Sequence, residues 1–184
     1  MGLICFGDSN TYGYDPRGYF GGRYDPADRW PERLALLTGW EVRNLGANGR
    51  QIPRNPAGQW SAEDRVLVML GTNDLLQGAD AQQTARRMEA FVRELLAGGC
   101  AVVLVCPPPM KRGEWVPTQM LVEESRRLGA EYESLARKLE IPFVDTRRWD
   151  LELAFDGVHL TEEGHRKFVE KLREVMEFDG SIKD

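Results

Sequence analysis

The stretch that decides the fold is LICFGDSN, which occupies residues 3–10. Its four leading apolar residues predict a buried strand, and the Gly-Asp-Ser that follows ends that strand. Ser9 is therefore predicted at the carboxyl end of a strand, where α/β sheets place their reacting groups. A serine there acts as a nucleophile only if the chain also supplies a base, a group that orients the base, and donors for the charge that develops on the substrate oxygen.

Composition bounds the class of protein. The chain has 184 residues, 42% of them hydrophobic, which suffices for one buried core but not for two ordinary ones. We therefore predict a single domain over residues 1–184, with a frayed tail beyond about residue 178. A net charge of -5 argues against nucleic acid or an anionic membrane as the main partner.

The expected compartment is the cytoplasm. The sequence has no apolar run long enough to cross a bilayer, and it begins without a basic leader segment. Its three cysteines, Cys5, Cys100 and Cys106, are odd in number and lack metal or redox spacing. Buried thiols in a reducing compartment are the simplest interpretation.

Further apolar runs and caps predict an α/β fold. Short apolar runs at residues 66–70, 101–106 and 142–144, and the segment 41–45 before a turn-rich exit, predict four more strands. Helices are predicted from Trp30 to a stop at Gly39, and after caps at Asp80, Thr118 and Thr161. Five strands that alternate with helices imply a parallel sheet with helices on both faces.

Two stretches lack this pattern. Residues 10–28 are rich in glycine and aromatic residues, which predicts a loop packed over another part of the chain. Residues 50–65 are polar and contain Pro53, Pro56 and Gly58, so at most one helical turn fits there.

The search for a base is narrow because the chain has only two histidines. His165 lies inside the last predicted helix, where we expect a solvated side chain. His159 follows Asp156 by three positions, and an Asp-x-x-His turn can hold one ring nitrogen so that the other accepts a proton. Ser9, Asn73 and the turn with His159 all follow strands, so a parallel sheet brings them to the same edge.

Four ordered blocks resemble a known family. The blocks are GDSN at residues 7–10, NLGANG at 44–49, GTND at 71–74 and DGVH at 156–159, and together they resemble the SGNH (GDSL-type) hydrolases. The segments CFGDS at 5–9, MLGTND at 69–74 and PPP at 107–109 look like the bacterial arylesterase and acyltransferase branch. The resemblance spans nearly the whole chain.

The resemblance implies a role for each matching residue. Ser9 would be the nucleophile, His159 the general base and then acid, and Asp156 the group that orients His159. The oxyanion hole would consist of the Ser9 and Gly49 backbone N–H groups and the Asn73 side-chain amide. The implied fold is a three-layer α/β/α sandwich of flavodoxin-like type with a five-stranded parallel sheet, and neither a metal nor an organic cofactor is implied.

The chain departs from the family pattern in two places. Asn10 replaces the leucine that more commonly follows the nucleophile. The segment between Gly49 and Asn73 is short, so we expect the helix usually found there to be reduced to a turn. This predicts a less covered sheet face or a surface for self-association, as in a homo-oligomer.

Several residues have a simpler structural interpretation beside the functional one. Ser9 by itself could be a helix cap, and Asn73 and Gly49 plain turn residues; for Gly46 we favour the turn. Asp8 and Asp74 could form a carboxylate pair for a metal, but support by hydrogen bonding is favoured. Tyr12, Tyr14 and Trp115 could pack in the core or line a substrate pocket. The basic residues are expected to be solvated charges: Arg50, Arg54, Lys111 and Arg112.

The predicted function is that of a serine esterase that hydrolyses small carboxylic esters, or transfers their acyl group, through an acyl-serine intermediate. A carbohydrate O-deacetylase or a thioesterase would use the same residues, because the same site attacks any activated acyl carbon. An inactive binding module on the same fold and a metal-dependent phosphatase are the alternatives from other classes.

Overall fold

The structure is a computed structural model, and it describes residues 2–18, 21–54 and 60–178. The predicted aromatic positions Tyr19 and Phe20 and the tail beyond residue 178 lie outside the described residues. No helix within these ranges is long and apolar enough to cross a membrane.

A five-stranded parallel sheet forms the centre of the fold, as predicted. Its strands are β1 (Gly2–Gly7), β4 (Glu41–Gly46), β5 (Arg65–Met69), β6 (Ala101–Val105) and β7 (Phe143–Val144). They lie in the order β4-β1-β5-β6-β7, which is the doubly wound order of flavodoxin-like folds. The strand order reverses between β1 and β5, so this is the topological switch point of the sheet. Ser9 follows β1 and Asn73 follows β5.

Four long helices cover the two faces of the sheet and complete the three layers. Helices α4 (Ala81–Ala97) and α5 (Gln119–Leu139) pack on one face, and α2 (Trp30–Thr38) and α6 (Glu162–Phe178) pack on the other. Successive residues of a strand point to opposite faces, so each central strand supplies both cores. Ile4 and Phe6 of β1 belong to the first core, and Leu3 and Cys5 belong to the second.

The helix starts follow the predicted caps. The Asp80 carboxylate accepts the Gln83 N–H at 2.6 Å, and the Thr118 hydroxyl accepts the Leu121 N–H at 3.4 Å. Helix α2 ends at Gly39, whose φ of 73° lies in the left-handed region that glycine adopts readily. Local capping chemistry therefore sets where these helices begin and end.

The prediction of a loop at residues 10–28 is partly wrong, because the described residues of this stretch form short helices and strands. A short helix, α1 (Ser9–Tyr12), begins at the predicted nucleophile, because the Asp8 carboxylate accepts the Asn10 N–H and caps it. Next come two antiparallel strands of two residues each, β2 (Tyr14–Asp15) and β3 (Gly22–Arg23). A 3₁₀ turn at Pro26–Asp28 follows them. Glycine and aromatic content indicated an irregular segment, but it did not reveal these local hydrogen bonds.

The connection between β4 and β5 carries no helix within its described residues, 47–54 and 60–64. Two side chains cover the exposed end of the β1 core instead. The Trp60 ring meets Phe6 edge-on at 5.1 Å between centroids, and the Arg50 guanidinium lies 4.3 Å above the same ring. Together with the stacked ring of Phe91, these side chains leave Phe6 only 5% exposed.

Two glycines allow α1 to lie directly on the sheet. A Cβ at Gly46 would lie 2.1 Å from the Tyr12 nitrogen, and a Cβ at Gly7 would lie 2.0 Å from the Thr11 hydroxyl. These two glycines are paired neighbours at the ends of β4 and β1. The turn interpretation of Gly46 is wrong, because Gly46 ends a strand and its φ is not positive.

Gly46→Ala is expected to lower the free energy of unfolding by about 2–4 kcal/mol, because the new methyl group meets backbone atoms that cannot rotate away. Denaturant unfolding followed by circular dichroism measures the change. Gly2→Ala in β1 is the matched control, since its Cβ would meet only Asp64 at an ordinary 3.8 Å. Equal stability of the two variants would contradict the close approach.

Candidate active site

The structure brings the predicted nucleophile, base and orienting carboxylate into one hydrogen-bonded row. The Ser9 hydroxyl oxygen lies 2.8 Å from His159 Nε2, and His159 Nδ1 lies 2.7 Å from Asp156 Oδ2. All three side chains are buried, with 6%, 2% and 1% of their surface exposed in that order. An Nδ1–H that donates to the carboxylate leaves Nε2 with the lone pair that can accept the serine proton.

The Asp156 carboxylate also organises its own turn. Its Oδ1 accepts the Val158 N–H at 2.8 Å and the His159 N–H at 3.0 Å, while its Oδ2 faces the imidazole. Burial raises the pKa of Asp156, but the hydrogen bonds from the His159 ring and these two backbone groups outweigh it. The net pKa therefore lies below the usual range, and the group carries a negative charge beside the imidazole.

A second loop holds this turn from outside. The Lys111 N–H donates to the Gly157 carbonyl at 3.0 Å, and the Trp115 N–H donates to the Asp156 carbonyl at 3.0 Å. Gly157 has a φ of 81°, and a Cβ there would lie 2.1 Å from the Lys111 carbonyl oxygen. The loop after β6 thus lies against the turn closely enough to require glycine, and it carries Trp115 to the site.

The Arg50 carbonyl joins Asn73 to the turn that carries Gly49, two of the residues predicted for the oxyanion hole. Asn73 lies on a short helix, α3 (Thr72–Leu76), directly after β5, and its side-chain amide donates to the Arg50 carbonyl at 3.2 Å. Gly49 lies in the adjoining turn with a φ of 69°. Among the described residues, nothing accepts a hydrogen bond from the Gly49 or Ser9 backbone N–H.

Arg50 is not the solvated charge that the sequence predicted. It is half-buried, and its guanidinium donates to the Gly7 carbonyl at 3.0 Å and to the Leu45 carbonyl. The side chain therefore ties the Gly49 turn to the ends of β1 and β4, next to Ser9. Arg54 and Arg112 are exposed as predicted, while Lys111, also exposed, donates to the Leu151 carbonyl.

Two of the three predicted pocket aromatics contact the imidazole. The ring centroids of Tyr14 and Trp115 lie 4.6 Å and 5.1 Å from that of His159, and the Trp115 side chain is 47% exposed. Tyr12 instead lies beneath the Arg23 guanidinium, 4.2 Å from its ring centroid. The apolar surface beside the imidazole is therefore supplied by Tyr14 and Trp115.

The carboxylates Asp8 and Asp74 have protein partners. Asp8 caps α1, and Asp74 accepts the Ile52 N–H at 3.1 Å and pairs with Arg87 at 2.8 Å. Within residues 2–18, 21–54 and 60–178, no group of three or more His, Cys, Asp or Glu side chains is arranged to hold a metal ion. The observed contacts match the hydrogen-bonding interpretation of both residues.

His165 was predicted to be solvated, and the structure contradicts this. Its side chain is fully buried in α6, and its ring meets Tyr24 edge-on at 5.5 Å. Burial lowers the pKa of His165 to about 3, and the nearby His159, Arg29 and Arg33 add to the effect, so the ring is neutral. The helical spacing of Phe168, Val169 and Leu172, which places His165 on the same inward face, was the signal that could have indicated burial.

Sequence reasoning also missed the contacts of Asn10. This side chain is 3% exposed, and it bonds to main-chain atoms on both sides of His159. Its position directly after Ser9, where leucine is more common in the resembling family, was the one available signal.

Comparison with known proteins identifies the family. The model of the GDSL-like lipase/acylhydrolase family matches residues 5–167 of the chain. The chain belongs to this family. It is an SGNH-type serine esterase, as its four sequence blocks predicted.

Solved structures similar to this esterase cover nearly the whole chain. The aryl esterase of M. smegmatis superposes with a TM-score of 0.80 at 26% identity, covering 96% of this chain and 98% of its own. A carbohydrate acetylesterase family member from Sinorhizobium meliloti superposes with a TM-score of 0.82 at 26% identity, covering 96% and 97%. No curated protein gives a significant sequence match. The three-layer fold is therefore shared along the full length of these proteins.

The stability of the esterase should depend on pH through Asp8. Burial raises the pKa of Asp8 from 3.8 to about 6, although the Asn10 N–H, His159 and Arg50 oppose the change. The folded chain therefore binds this proton more tightly than the unfolded chain does. The stabilisation is present below about pH 4, and it is lost as the pH rises through about 6.

Asp8→Asn keeps the cap but cannot ionise, so its unfolding free energy relative to the natural chain should rise by about 2 kcal/mol between pH 4 and pH 7.5. Denaturant titrations across this range measure the difference. Asp25→Asn, on an exposed turn, is the matched control. Parallel pH curves for Asp8→Asn and the natural chain would contradict the raised pKa.

Proposed function

We propose that this esterase cleaves small carboxylic esters in two steps, with Ser9 as the nucleophile. The observation that carries the proposal is the row of contacts from Ser9 Oγ to His159 Nε2 at 2.8 Å and from His159 Nδ1 to Asp156 Oδ2 at 2.7 Å. A hydroxyl is a weak nucleophile by itself, and a neutral imidazole at hydrogen-bond distance removes its proton as it attacks.

In the first step, Ser9 Oγ attacks the ester carbonyl carbon while its proton passes to His159 Nε2. The Asp156 carboxylate stabilises the imidazolium that forms and keeps Nδ1 protonated. When the tetrahedral intermediate collapses, His159 gives the proton to the leaving alcohol. The acyl group then remains on Ser9.

The negative charge on the carbonyl oxygen needs donors that are already in place. The Ser9 and Gly49 backbone N–H groups and the Asn73 side-chain amide are the proposed three. Asn73 gives one N–H to the Arg50 carbonyl, which fixes the plane of the amide and leaves the second N–H for the substrate. Such preorganised donors stabilise the transition state more than the ground state.

In the second step, water or another alcohol clears the acyl-serine by the reverse sequence of proton transfers. His159 takes the proton of the incoming hydroxyl and returns it to Ser9 Oγ. Tyr14 and Trp115, whose rings flank the imidazole, supply an apolar wall for the acyl or alcohol part of the substrate. The likeness to an aryl esterase and to a carbohydrate acetylesterase family member supports this reaction class.

Ser9→Ala is expected to lower kcat for p-nitrophenyl acetate by up to ~10⁶, because the nucleophile and base act as a unit. Release of p-nitrophenol at neutral pH measures the rate. Ser134→Ala, on the exposed face of α5, is the matched control and should keep full activity. Full hydrolysis by purified Ser9→Ala protein would refute the assignment of the nucleophile.

Asn73→Ala is expected to lower kcat by ~10²–10³ with little change in KM, because the oxyanion exists only along the reaction path. Steady-state kinetics with p-nitrophenyl acetate separate the two constants. Because the variant also loses the bond to the Arg50 carbonyl, its thermal unfolding is measured alongside to confirm that it is folded. A folded variant with unchanged kcat would remove Asn73 from the proposed oxyanion hole.

A further inference from the structure

Asn10 joins the two segments that carry the proposed nucleophile and base. It is the residue after Ser9 in α1, and its side chain is almost fully buried. Its amide nitrogen donates to the Val158 carbonyl at 3.0 Å, and its amide oxygen accepts the Leu160 N–H at 2.8 Å. One side chain thus holds the main chain on both sides of His159.

Among the described residues, the other hydrogen bonds made by the main chain of residues 156–160 do not reach the segment around Ser9. Asp156 accepts the Val158 and His159 N–H groups within the turn, and the His159 carbonyl accepts the Ala154 N–H at 2.8 Å. The loop that carries Lys111 and Trp115 follows β6. The two Asn10 bonds, by contrast, cross about 150 positions of sequence to the residue adjacent to Ser9.

Asn10 is itself held in place on its own side. Its N–H donates to the Asp8 carboxylate at 3.0 Å, and its carbonyl accepts the Trp30 indole N–H at 3.0 Å. Trp30 is fully buried at the start of α2. The main chain of Asn10 is therefore held by Asp8 and the core, while its side-chain amide bonds to the histidine turn.

From these contacts we propose that Asn10 is a positioning residue that sets the distance between Ser9 Oγ and His159 Nε2. The inference rests on the proposed function and adds a residue to it. An asparagine amide carries a donor and an acceptor on one plane, so it can bind the carbonyl of residue 158 and the N–H of residue 160 together. A leucine of similar size can do neither.

The experiment compares three side chains of nearly equal size at position 10. Asparagine makes both bonds, Asn10→Asp keeps the acceptor for the Leu160 N–H but loses the donor to Val158, and Asn10→Leu makes neither. We expect kcat for p-nitrophenyl acetate to fall in both variants, by about 10–100-fold for Asn10→Leu, because a misplaced base transfers the proton poorly. KM should stay within about threefold, since Asn10 does not touch the substrate.

Two readouts separate positioning from a general loss of stability. Labelling of Ser9 by a fluorophosphonate should slow by a factor similar to kcat, because it needs the same proton transfer. The downfield proton resonance of His159 Nδ1–H in the bond to Asp156 should broaden or disappear in Asn10→Leu. Thr38→Val is the matched control: it removes the bond to the Leu34 carbonyl at the end of α2, next to the amino end of β4 and at the opposite edge of the sheet from Ser9, and it should change neither readout.

A folded Asn10→Leu protein with kcat within twofold of the natural value, or with an unchanged downfield resonance, would overturn the proposal. An equal loss of kcat in Thr38→Val would overturn it too, because the loss of any side-chain hydrogen bond would then have the same effect. If Asn10→Leu does not fold, the kcat of Asn10→Asp relative to the natural chain, and its downfield resonance, are judged by the same criteria. Ser9→Ala separates the failure of this proposal from that of the proposed function. Full activity in Ser9→Ala would refute both, whereas an inactive Ser9→Ala together with a fully active Asn10→Leu would refute only the positioning role of Asn10.

Discussion

The hydrogen bond between Ser9 Oγ and His159 Nε2 joins the first strand of the sheet to the last turn before the final helix, and the rest of the site is built around it. A 2.8 Å contact tolerates little error in either segment. Each segment is accordingly fixed by backbone packing that admits only glycine. Gly46 lets α1 rest on β4, and Gly157 lets the histidine turn lie against the Lys111 carbonyl.

The price of this arrangement is a large set of buried polar groups. Asp8, Asp74 and Asp156 are nearly inaccessible to water, and each accepts at least one backbone N–H. These bonds replace the lost hydration, which otherwise costs several kcal/mol for each charge. At Asp8 the lost hydration is not fully replaced, so burial still raises the pKa of this carboxyl to about 6.

The described residues of the connection between β4 and β5, 47–54 and 60–64, form no helix, so the Gly49 turn is held in another way. Arg50 covers Phe6 and binds the carbonyls of Gly7 and Leu45, while its own carbonyl receives the Asn73 amide. One residue therefore links the core, the end of β1 and the side chain of Asn73. A turn without an adjoining helix among the described residues can still be fixed when a long side chain bonds to several main-chain groups.

The sequence by itself determined the strands, the caps and the family. The signals are local: short apolar runs, Asp80 and Thr118 before helices, and four sequence blocks in order. Only the tertiary structure decided the surroundings of Asn10, Arg50 and Gly46. Their contact partners lie far away in the chain, on elements that pack together only in the folded protein. A local pattern therefore predicts a solvated arginine at residue 50 and a turn at Gly46, whereas the assembled layers give both residues tertiary contacts.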